Sequence, residues 1–265
     1  MSGLAACGVS VRLGGRVVLD GVDAALTPGR VTAVIGPNGS GKSTLLATLA
    51  GELEPFEGTV ALDGTRLASI RPIELARRRA VLAQAPELAF PFTVDETVRL
   101  GLAPGLPRGA ADAIAARRLA DVDLVGFGDR ICAELSGGER QRVHLARVLA
   151  QLDAPPDGRS RYLFLDEPTA SLDLAHQLAT LRLARRFADE GGGVLAVLHD
   201  VNLAVMAADE IVALKAGRVL ARGTPAEVVT DAVIGALFDV AVRVGAAPAA
   251  PFLLPHDALP LTGGR

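Results

Sequence analysis

The sequence predicts an α/β fold built on a central parallel sheet, with an antiparallel β subdomain near the N-terminus and an inserted helical lobe. Three uninterrupted apolar runs, at residues 31–35, 162–165 and 194–198, are typical of strands buried on both faces and predict the parallel sheet. The chain has 265 residues and half of them are apolar, so it can bury a substantial core.

Two antiparallel hairpins are predicted, one near each end of the core. Each consists of two short apolar strands around a turn that contains glycine. The first joins residues 9–13 to residues 17–19 through Gly14 and Gly15, and the second joins residues 211–214 to residues 219–221 through Ala216 and Gly217.

Helical spacing replaces the strand-like runs between residues 84 and 153, most clearly at residues 110–119 and 140–152. Residues 153–161, rich in Pro, Asp and Gly, predict a surface loop that returns the chain to the sheet, and residues 175–188 predict a further helix. We therefore predict one domain over residues 2–243, with its core at 2–84 and 160–243, its helical lobe at 85–152, and a C-terminal tail at 244–265.

Composition excludes several classes of function. A formal net charge of -3 and an aromatic content of 3% provide neither the basic surface nor the stacking platform of a nucleic-acid-binding protein. Two distant cysteines, Cys7 and Cys132, are typical of free thiols in a reducing compartment. No secretory signal is apparent, and charges and prolines interrupt the apolar residues 233–255, so we expect no membrane span.

A phosphate-binding loop is the clearest motif in the chain. It follows the first predicted parallel strand and opens the helical run 45–50, as the loop pattern requires. Its glycines let backbone amides point at phosphates, Lys42 reaches the outer phosphates, and the Ser43 hydroxyl can bind Mg²⁺. The loop consists of Gly36, Pro37, Asn38, Gly39, Ser40, Gly41, Lys42, Ser43 and Thr44.

Acidic side chains end the second predicted parallel strand. Because ligands bind beyond the carboxyl ends of parallel strands, Asp166 and Glu167 are expected to face the same pocket as the phosphate loop. Asp166 is the expected Mg²⁺ partner, and Glu167 is placed to polarise or deprotonate an attacking water molecule. His199 and Asp200 follow the third parallel strand and are expected at the same edge.

A second candidate anion site precedes the helix at residues 140–152. Ser136 and Glu139 have the spacing of a capping box, so one interpretation is simply a well-capped helix. The glycine pair between them, Gly137 and Gly138, costs helix stability but permits close backbone approach to a ligand. Since the pocket already has a phosphate loop, a second phosphate cradle is useful only when two copies of the chain come together.

These motifs, in this order, resemble the ABC transporter ATPase family. The most specific of them is the signature Leu135, Ser136, Gly137, Gly138 and Glu139. The resemblance covers almost the whole chain and implies a P-loop NTPase (RecA-like) core, ATP and Mg²⁺ as ligands, and a head-to-tail homodimer. In that dimer each phosphate loop holds ATP against the partner's signature.

The resemblance also implies roles for single positions. Gln84 corresponds to the glutamine that senses Mg²⁺ and the permease, and it joins Ser43 and Asp166 as a Mg²⁺ contact. His199 corresponds to the switch histidine that contacts the γ-phosphate. Ser171, Leu172 and Asp173 correspond to the D-loop, which crosses the dimer seam. His144 and His176 are expected to be solvated or packed. One position departs from the family: Leu13 stands where an aromatic ring commonly stacks on adenine, which puts base selectivity in doubt.

Within the family, the chain is similar to the ATPases of importers for iron chelates, haem and cobalamin, and most similar to haemin importers. The shared features are the long loop before residue 161, residues 90–94 and residues 169–177. The similarity implies a peripheral subunit on the cytoplasmic face of the inner membrane. Its partners would be a permease dimer and, indirectly, a periplasmic or surface substrate-binding protein; residues 87–94 are a candidate permease dock. A ferric siderophore, cobalamin, or a soluble non-transport role remain the alternatives.

Overall fold

The computed structural model describes residues 3–84, 90–153 and 158–247, together with residues 249, 251 and 253–255. The strands are β1 (Leu4–Leu13), β2 (Arg16–Leu26), β3 (Val31–Ile35), β4 (Glu57–Leu62), β5 (Thr65–Arg66), β6 (Arg79–Leu82), β7 (Tyr162–Asp166), β8 (Gly193–Val197), β9 (Glu210–Lys215) and β10 (Arg218–Gly223). The helices are α1 (Lys42–Ala50), α2 (Pro72–Arg78), α3 (Val94–Arg99), α4 (Arg108–Asp121), α5 (Gly137–Gln151), α6 (Leu174–Asp189), α7 (Val201–Ala207), α8 (Pro225–Val228) and α9 (Asp231–Phe238).

The larger sheet has six strands in the order β10-β9-β3-β8-β7-β6. The three predicted parallel strands are confirmed as β3, β7 and β8, and β8 pairs in parallel with both of the others. Every residue of β3, β7 and β8 is buried, which explains why their sequences show continuous apolar runs instead of alternation. Val197 of β8 pairs with Asp166 of β7 and with Val34 of β3, so the carboxyl ends of the three strands lie at one edge of the sheet.

The smaller sheet is antiparallel and has the order β2-β1-β4-β5. The first predicted hairpin is confirmed as β1 and β2, and the second as β9 and β10. Both turns place their two central residues at positive φ, as a two-residue hairpin turn requires. The two sheets enclose α1, whose Leu45, Leu46 and Leu49 are buried between them.

Helices α3, α4 and α5 fill most of the described part of the predicted helical lobe. Helix α5 begins at Gly137, three residues before the predicted start, because the Ser136 capping box adds a first turn. Its apolar face, including Val143 and Leu149, lies in the same core cluster as the larger sheet. Among the described residues, none of the helices combines the length and apolar character needed to cross a bilayer.

Candidate functional site

The phosphate loop leaves β3 at a position that only glycine can occupy. A Cβ atom on Gly36 would lie 2.1 Å from the carbonyl oxygen of Leu214, and Gly36 has a φ of +153°. Gly41, with a φ of +101°, is the N-cap of α1, and a Cβ atom there would lie 2.8 Å from Leu19. The loop is thus packed against β9 and β2, with the N-terminus of α1 directed at its centre.

Lys42 is buried at the start of α1. Its ammonium donates to the carbonyl oxygens of Gly36 and Pro37, each at 3.0 Å. Burial lowers the pKa of Lys42, while the nearby Glu167 and Asp166 oppose that shift. A buried ammonium whose hydrogen bonds go to neutral carbonyl groups is well suited to bind an anion, because phosphate oxygens would compensate its charge better than carbonyl groups do.

Asp166, the last residue of β7, meets the first turn of α1. The Ser43 hydroxyl donates to Asp166 Oδ1 at 3.1 Å. Burial raises the pKa of Asp166, the adjacent Glu167 raises it further, and the bond from Ser43 opposes both. The hydroxyl and carboxylate oxygens form the kind of donor set that Mg²⁺ prefers. Within the described ranges, no group of three or more His, Cys, Asp or Glu side chains is placed to hold a metal, so Mg²⁺ here would also need phosphate oxygens.

Glu167 is held by polar contacts on both carboxylate oxygens. Oε1 lies 2.5 Å from His199 Nε2, and Oε2 accepts a hydrogen bond of 2.7 Å from the Gln84 side-chain amide. Gln84 follows β6 and His199 follows β8, the strands at either side of β7. Three neighbouring strands thus deliver three polar side chains to one point beside the phosphate loop.

A cavity of about 390 Å³ separates the phosphate loop from Glu167. Most of the predicted nucleotide site lines it, and Val18 joins them from β2. Gly36, Pro37 and Ser40 do not line it; Ser40 is buried behind the loop, where its carbonyl accepts from Gly217. The lining residues are Val18, Asn38, Gly39, Gly41, Lys42, Ser43, Thr44, Gln84, Glu167 and His199.

The signature residues lie elsewhere, at the N-terminus of α5. Ser136 and Glu139 form the predicted capping box, in which the Ser136 hydroxyl and amide both donate to the Glu139 carboxylate. Leu135 is buried, whereas Ser136 and Gly137 are exposed. In the part of the chain that is described, none of the five signature residues lines the phosphate cavity of the same chain. The amides of Ser136 and Glu139 are taken up by the capping box itself, and Gly137 stays exposed at the start of the helix.

The D-loop residues lie between Glu167 and α6. Ser171 has a φ of +62°, and the Asp173 side chain caps α6 by accepting from the His176 amide at 2.9 Å. His176 Nδ1 also lies 2.8 Å from the same Asp173 oxygen, and these contacts lower the pKa of Asp173. His176, expected from the sequence to be solvated or packed, is thus a half-buried partner of Asp173. His144 is packed, with only 3% of its surface exposed.

Two residues of the site were not identified from the sequence. Val18 is the extra residue of a β-bulge, since Val11 pairs with Leu19 and Arg12 with Val17; a bulge redirects a side chain, but a single sequence does not reveal it. Gln141 donates to the main-chain carbonyl oxygen of Glu167 at 3.2 Å. Its position three residues after Gly138, on the same helix face, was the available signal.

Comparison with known proteins agrees with this geometry. The family model described as ABC transporter matches residues 19–170. The hemin import ATP-binding protein of Rhizobium meliloti is 54% identical over 254 residues, covering 94% of this chain and 97% of that protein. The protein of the same name from Jannaschia sp. is 52% identical over 259 residues, covering 97% and 95%.

Solved structures show the same fold. The ATP-binding subunit of an ABC transporter superposes with a TM-score of 0.75 at 29% identity, over 84% of this chain and 90% of that one. A dimeric ATP-binding cassette bound to ADP and Pi in a post-hydrolysis state gives a TM-score of 0.73 at 26% identity, over 84% and 98%. The predicted P-loop NTPase fold is confirmed, and the chain belongs to the ABC transporter family as one of its ATP-binding subunits.

Proposed function

We propose that this chain is the ATP-hydrolysing subunit of an importer that takes up haemin across the inner membrane through a separate permease. The proposal rests on one observation. Over nearly the whole length of the chain, about half of its residues are identical to those of proteins named for hemin import. The cargo is assigned from that similarity alone. The location on the cytoplasmic face of the membrane follows from the proposed role.

The geometry supports a role for each residue of the site. Lys42 and the amides at the N-terminus of α1 would hold the phosphates, and Ser43 with Asp166 would hold Mg²⁺. Bound there, Mg²⁺ would neutralise charge on the transferred phosphoryl group. Glu167 is placed to accept a proton from the attacking water, since its carboxylate faces the cavity beside the phosphate loop.

His199 and Gln84 orient that carboxylate through their contacts with its two oxygens. His199 is also the candidate contact for the γ-phosphate, because it lines the same cavity. Gln84 is the candidate link to both Mg²⁺ and the permease. Its side-chain amide group is committed to Glu167, so a change at the permease that moved Gln84 would act directly on the hydrolytic residue.

Assembly as a head-to-tail homodimer is part of the proposal. The exposed Ser136, Gly137 and Asp173 and the related dimeric cassette support it. Each signature would complete the partner's ATP site. ATP drives closure only if it binds the closed dimer more tightly than the open one.

The permease is proposed to dock beside Gln84. Residues 87–89 of the predicted dock lie outside the described part of the chain. Phe90 is 69% exposed and meets the Phe92 ring edge to face at 6.1 Å, so Phe90 is a surface residue and not part of the core. An exposed Phe90 that rests on the half-buried Phe92 is a suitable anchor for a permease helix. A substrate-binding protein would deliver the cargo from the other side of the membrane.

The experiment compares uptake of haemin, a ferric siderophore and cobalamin in cells whose sole copy of this protein is wild type, Glu167→Gln or Glu190→Gln. Glu190 is an exposed residue at the C-terminal end of α6 and serves as the matched control. We expect Glu167→Gln to bind ATP, to hydrolyse it at least about a hundredfold more slowly, and to abolish haemin uptake alone.

Each of the other outcomes would overturn one part of the proposal: the cargo, the transport role or the role of Glu167. Loss of siderophore or cobalamin uptake with intact haemin uptake would keep the transporter and remove haemin as the cargo. If no cargo depends on the protein and it does not co-purify with membranes, it is a non-transport ABC ATPase. Hydrolysis by Glu167→Gln at the wild-type rate would remove Glu167 from its proposed role.

A further inference from the structure

Helix α5 connects two parts of the molecule that act in different ATP sites of the proposed dimer. Its N-terminus carries the signature, which would contact the partner's nucleotide. Two residues beyond Glu139, Gln141 donates its side-chain amide to the main-chain carbonyl of Glu167, which belongs to the site of the same chain. In the proposed dimer, one helix would therefore contact both the partner's nucleotide and the hydrolytic residue.

The backbone of Glu167 needs support from its surroundings. Its φ of +51° lies in the left-handed region, which costs a residue with a side chain about 1 kcal/mol. Three hydrogen bonds hold this conformation: the Glu167 amide donates to Val197, and its carbonyl accepts from the Ala170 amide at 3.1 Å and from Gln141 at 3.2 Å. The first two come from the strand and the turn themselves. The third comes from α5.

A second contact lies on the same face of α5. Gly138 is three residues before Gln141, and a Cβ atom there would lie 3.1 Å from the carbonyl oxygen of Ser171 and 3.4 Å from Leu172. Ser171 is itself at positive φ. Residues three apart share a helix face. That face of α5 therefore rests on both ends of the turn from Glu167 to Ser171.

We propose that Gln141 is a positioning residue that couples the two ATP sites of the dimer. When the partner's nucleotide engages the signature, a shift at the start of α5 is passed through the Gln141 side chain to the Glu167 carbonyl. That contact holds the backbone from which the Glu167 carboxylate reaches Gln84 and His199. Gln141 acts through Glu167 and is not among the described residues that line the phosphate cavity of its own chain. The inference rests on the proposed dimeric ATPase but not on the cargo.

The first test uses Gln141→Met, which keeps the length of the side chain and removes the donor. We expect kcat for ATP hydrolysis to fall about tenfold, the equivalent of one lost hydrogen bond in a rigid site, with KM changed less than about twofold. The control is Gln151→Met. Gln151 lies at the other end of α5 and also donates to backbone carbonyls, those of Ala76 at 2.7 Å and Arg79 at 2.9 Å.

Gln151→Met is expected to lower the midpoint of unfolding without changing kcat. A purely structural Gln141 would behave in the same way. Equal loss of kcat in both variants, or a rise in KM that accounts for the loss in Gln141→Met, would overturn the positioning role.

Mixed dimers determine which site Gln141 serves. Two such dimers are compared, and in each of them one protomer carries Glu167→Gln, so a single Glu167 remains active. In the first dimer Gln141→Met is in the protomer with the intact Glu167; in the second it is in the other protomer. We expect hydrolysis in the first dimer to be about tenfold slower than in the second. Equal rates, or the reverse order, would contradict action within the chain.

A double-substitution cycle tests the coupling itself. Ser136→Ala is placed in the protomer that carries the active Glu167. There it disturbs the signature that contacts the partner's nucleotide. The active site itself is completed by the other protomer's signature, which is unaltered. Coupling predicts that this change slows hydrolysis when Gln141 is present and has little further effect after Gln141→Met. Effects that simply multiply would overturn the coupling. These assays need no cargo, so a negative haemin result leaves them interpretable.

Discussion

At the residue scale, aliphatic side chains stand where the family resemblance would place the nucleotide base. Val18 is directed into the phosphate cavity by the bulge in β2. A Cβ atom on Gly217 would lie only 2.3 Å from the carbonyl oxygen of Val18, so the bulge is closely packed against the β9–β10 turn. Leu13, at the end of β1, is 42% exposed and carries no ring. Aliphatic groups contact any base without hydrogen-bond readout. Weak discrimination between bases follows.

The corresponding prediction concerns Leu13→Tyr. Wild-type protein is expected to bind ATP and GTP with similar affinity, and the added ring to strengthen ATP binding about fivefold, since a stacking contact contributes about 1 kcal/mol. Titration with labelled nucleotides measures both. Leu220→Tyr, at a similarly exposed leucine of β10, is the control and should leave affinity unchanged. A wild-type preference for ATP of more than about a hundredfold would contradict an aliphatic base site, because apolar contacts discriminate only weakly.

At the element scale, the sequence predicted those features that depend on local pattern. The runs that became β3, β7 and β8, both hairpins and the helix at residues 175–188 have periods or turn residues that can be read directly. Helix α9, near the C-terminal end of the core, was not predicted, because its short sequence is apolar on all sides and has no helical period. Likewise, the phosphate loop and Glu167 were predictable from motifs. The bulge at Val18 and the Gln141 contact depend on pairing between distant segments, which one sequence does not contain.

Helix α5 also yields a prediction on pH. Burial among core residues, with Arg147 and Arg140 nearby, lowers the pKa of His144 to about 4 from a reference of 6.5. Below the reference pKa the unfolded chain takes up a proton that the folded chain does not, so stability falls as pH drops from 6.5 towards 4. At about pH 5 the resulting loss is about 2 kcal/mol relative to neutral pH.

Urea denaturation of wild type and His144→Leu at about pH 7.5 and about pH 5 measures this effect, since the variant has no group to titrate at that position. At the lower pH, the unfolding free energy of the variant should rise relative to that of the wild type. If the difference in unfolding free energy is the same at both pH values, His144 is protonated in the folded protein at about pH 5. Burial would then not lower its pKa.

At the scale of the whole molecule, an ionic network joins the helical lobe to the core. Asp121, near the end of α4, accepts from Arg118 at 2.9 Å on the same helix and from Arg186 of α6 at 2.7 Å. Arg118 also donates to Asp153, after α5, at 2.9 Å. The Asp121 side chain is only 13% exposed. Because α6 packs on the sheet and α4 belongs to the lobe, Asp121 links the lobe to the core.

Replacing Asp121 therefore tests how firmly the lobes are joined. Asp121→Asn keeps the shape and removes the charge that two guanidinium groups share, so we expect a loss of about 2 kcal/mol in unfolding free energy that persists in high salt. Asp112→Asn is the control on the same helix. Asp112 pairs with Arg99 at 2.8 Å but is 50% exposed, so its loss should stay below about 1 kcal/mol and vanish as salt screens the pair.

The two variants differ in the burial of the carboxylate and in the number of arginines that lose a partner, and urea midpoints at low and high salt separate them. If Asp121→Asn costs no more than Asp112→Asn, the lobe is held by the apolar contacts of α5 with the sheet and not by the ionic network. The larger, salt-resistant loss would instead mean that the network sets the lobe orientation. Because α5 belongs to the same lobe, that orientation also determines where Gln141 meets Glu167.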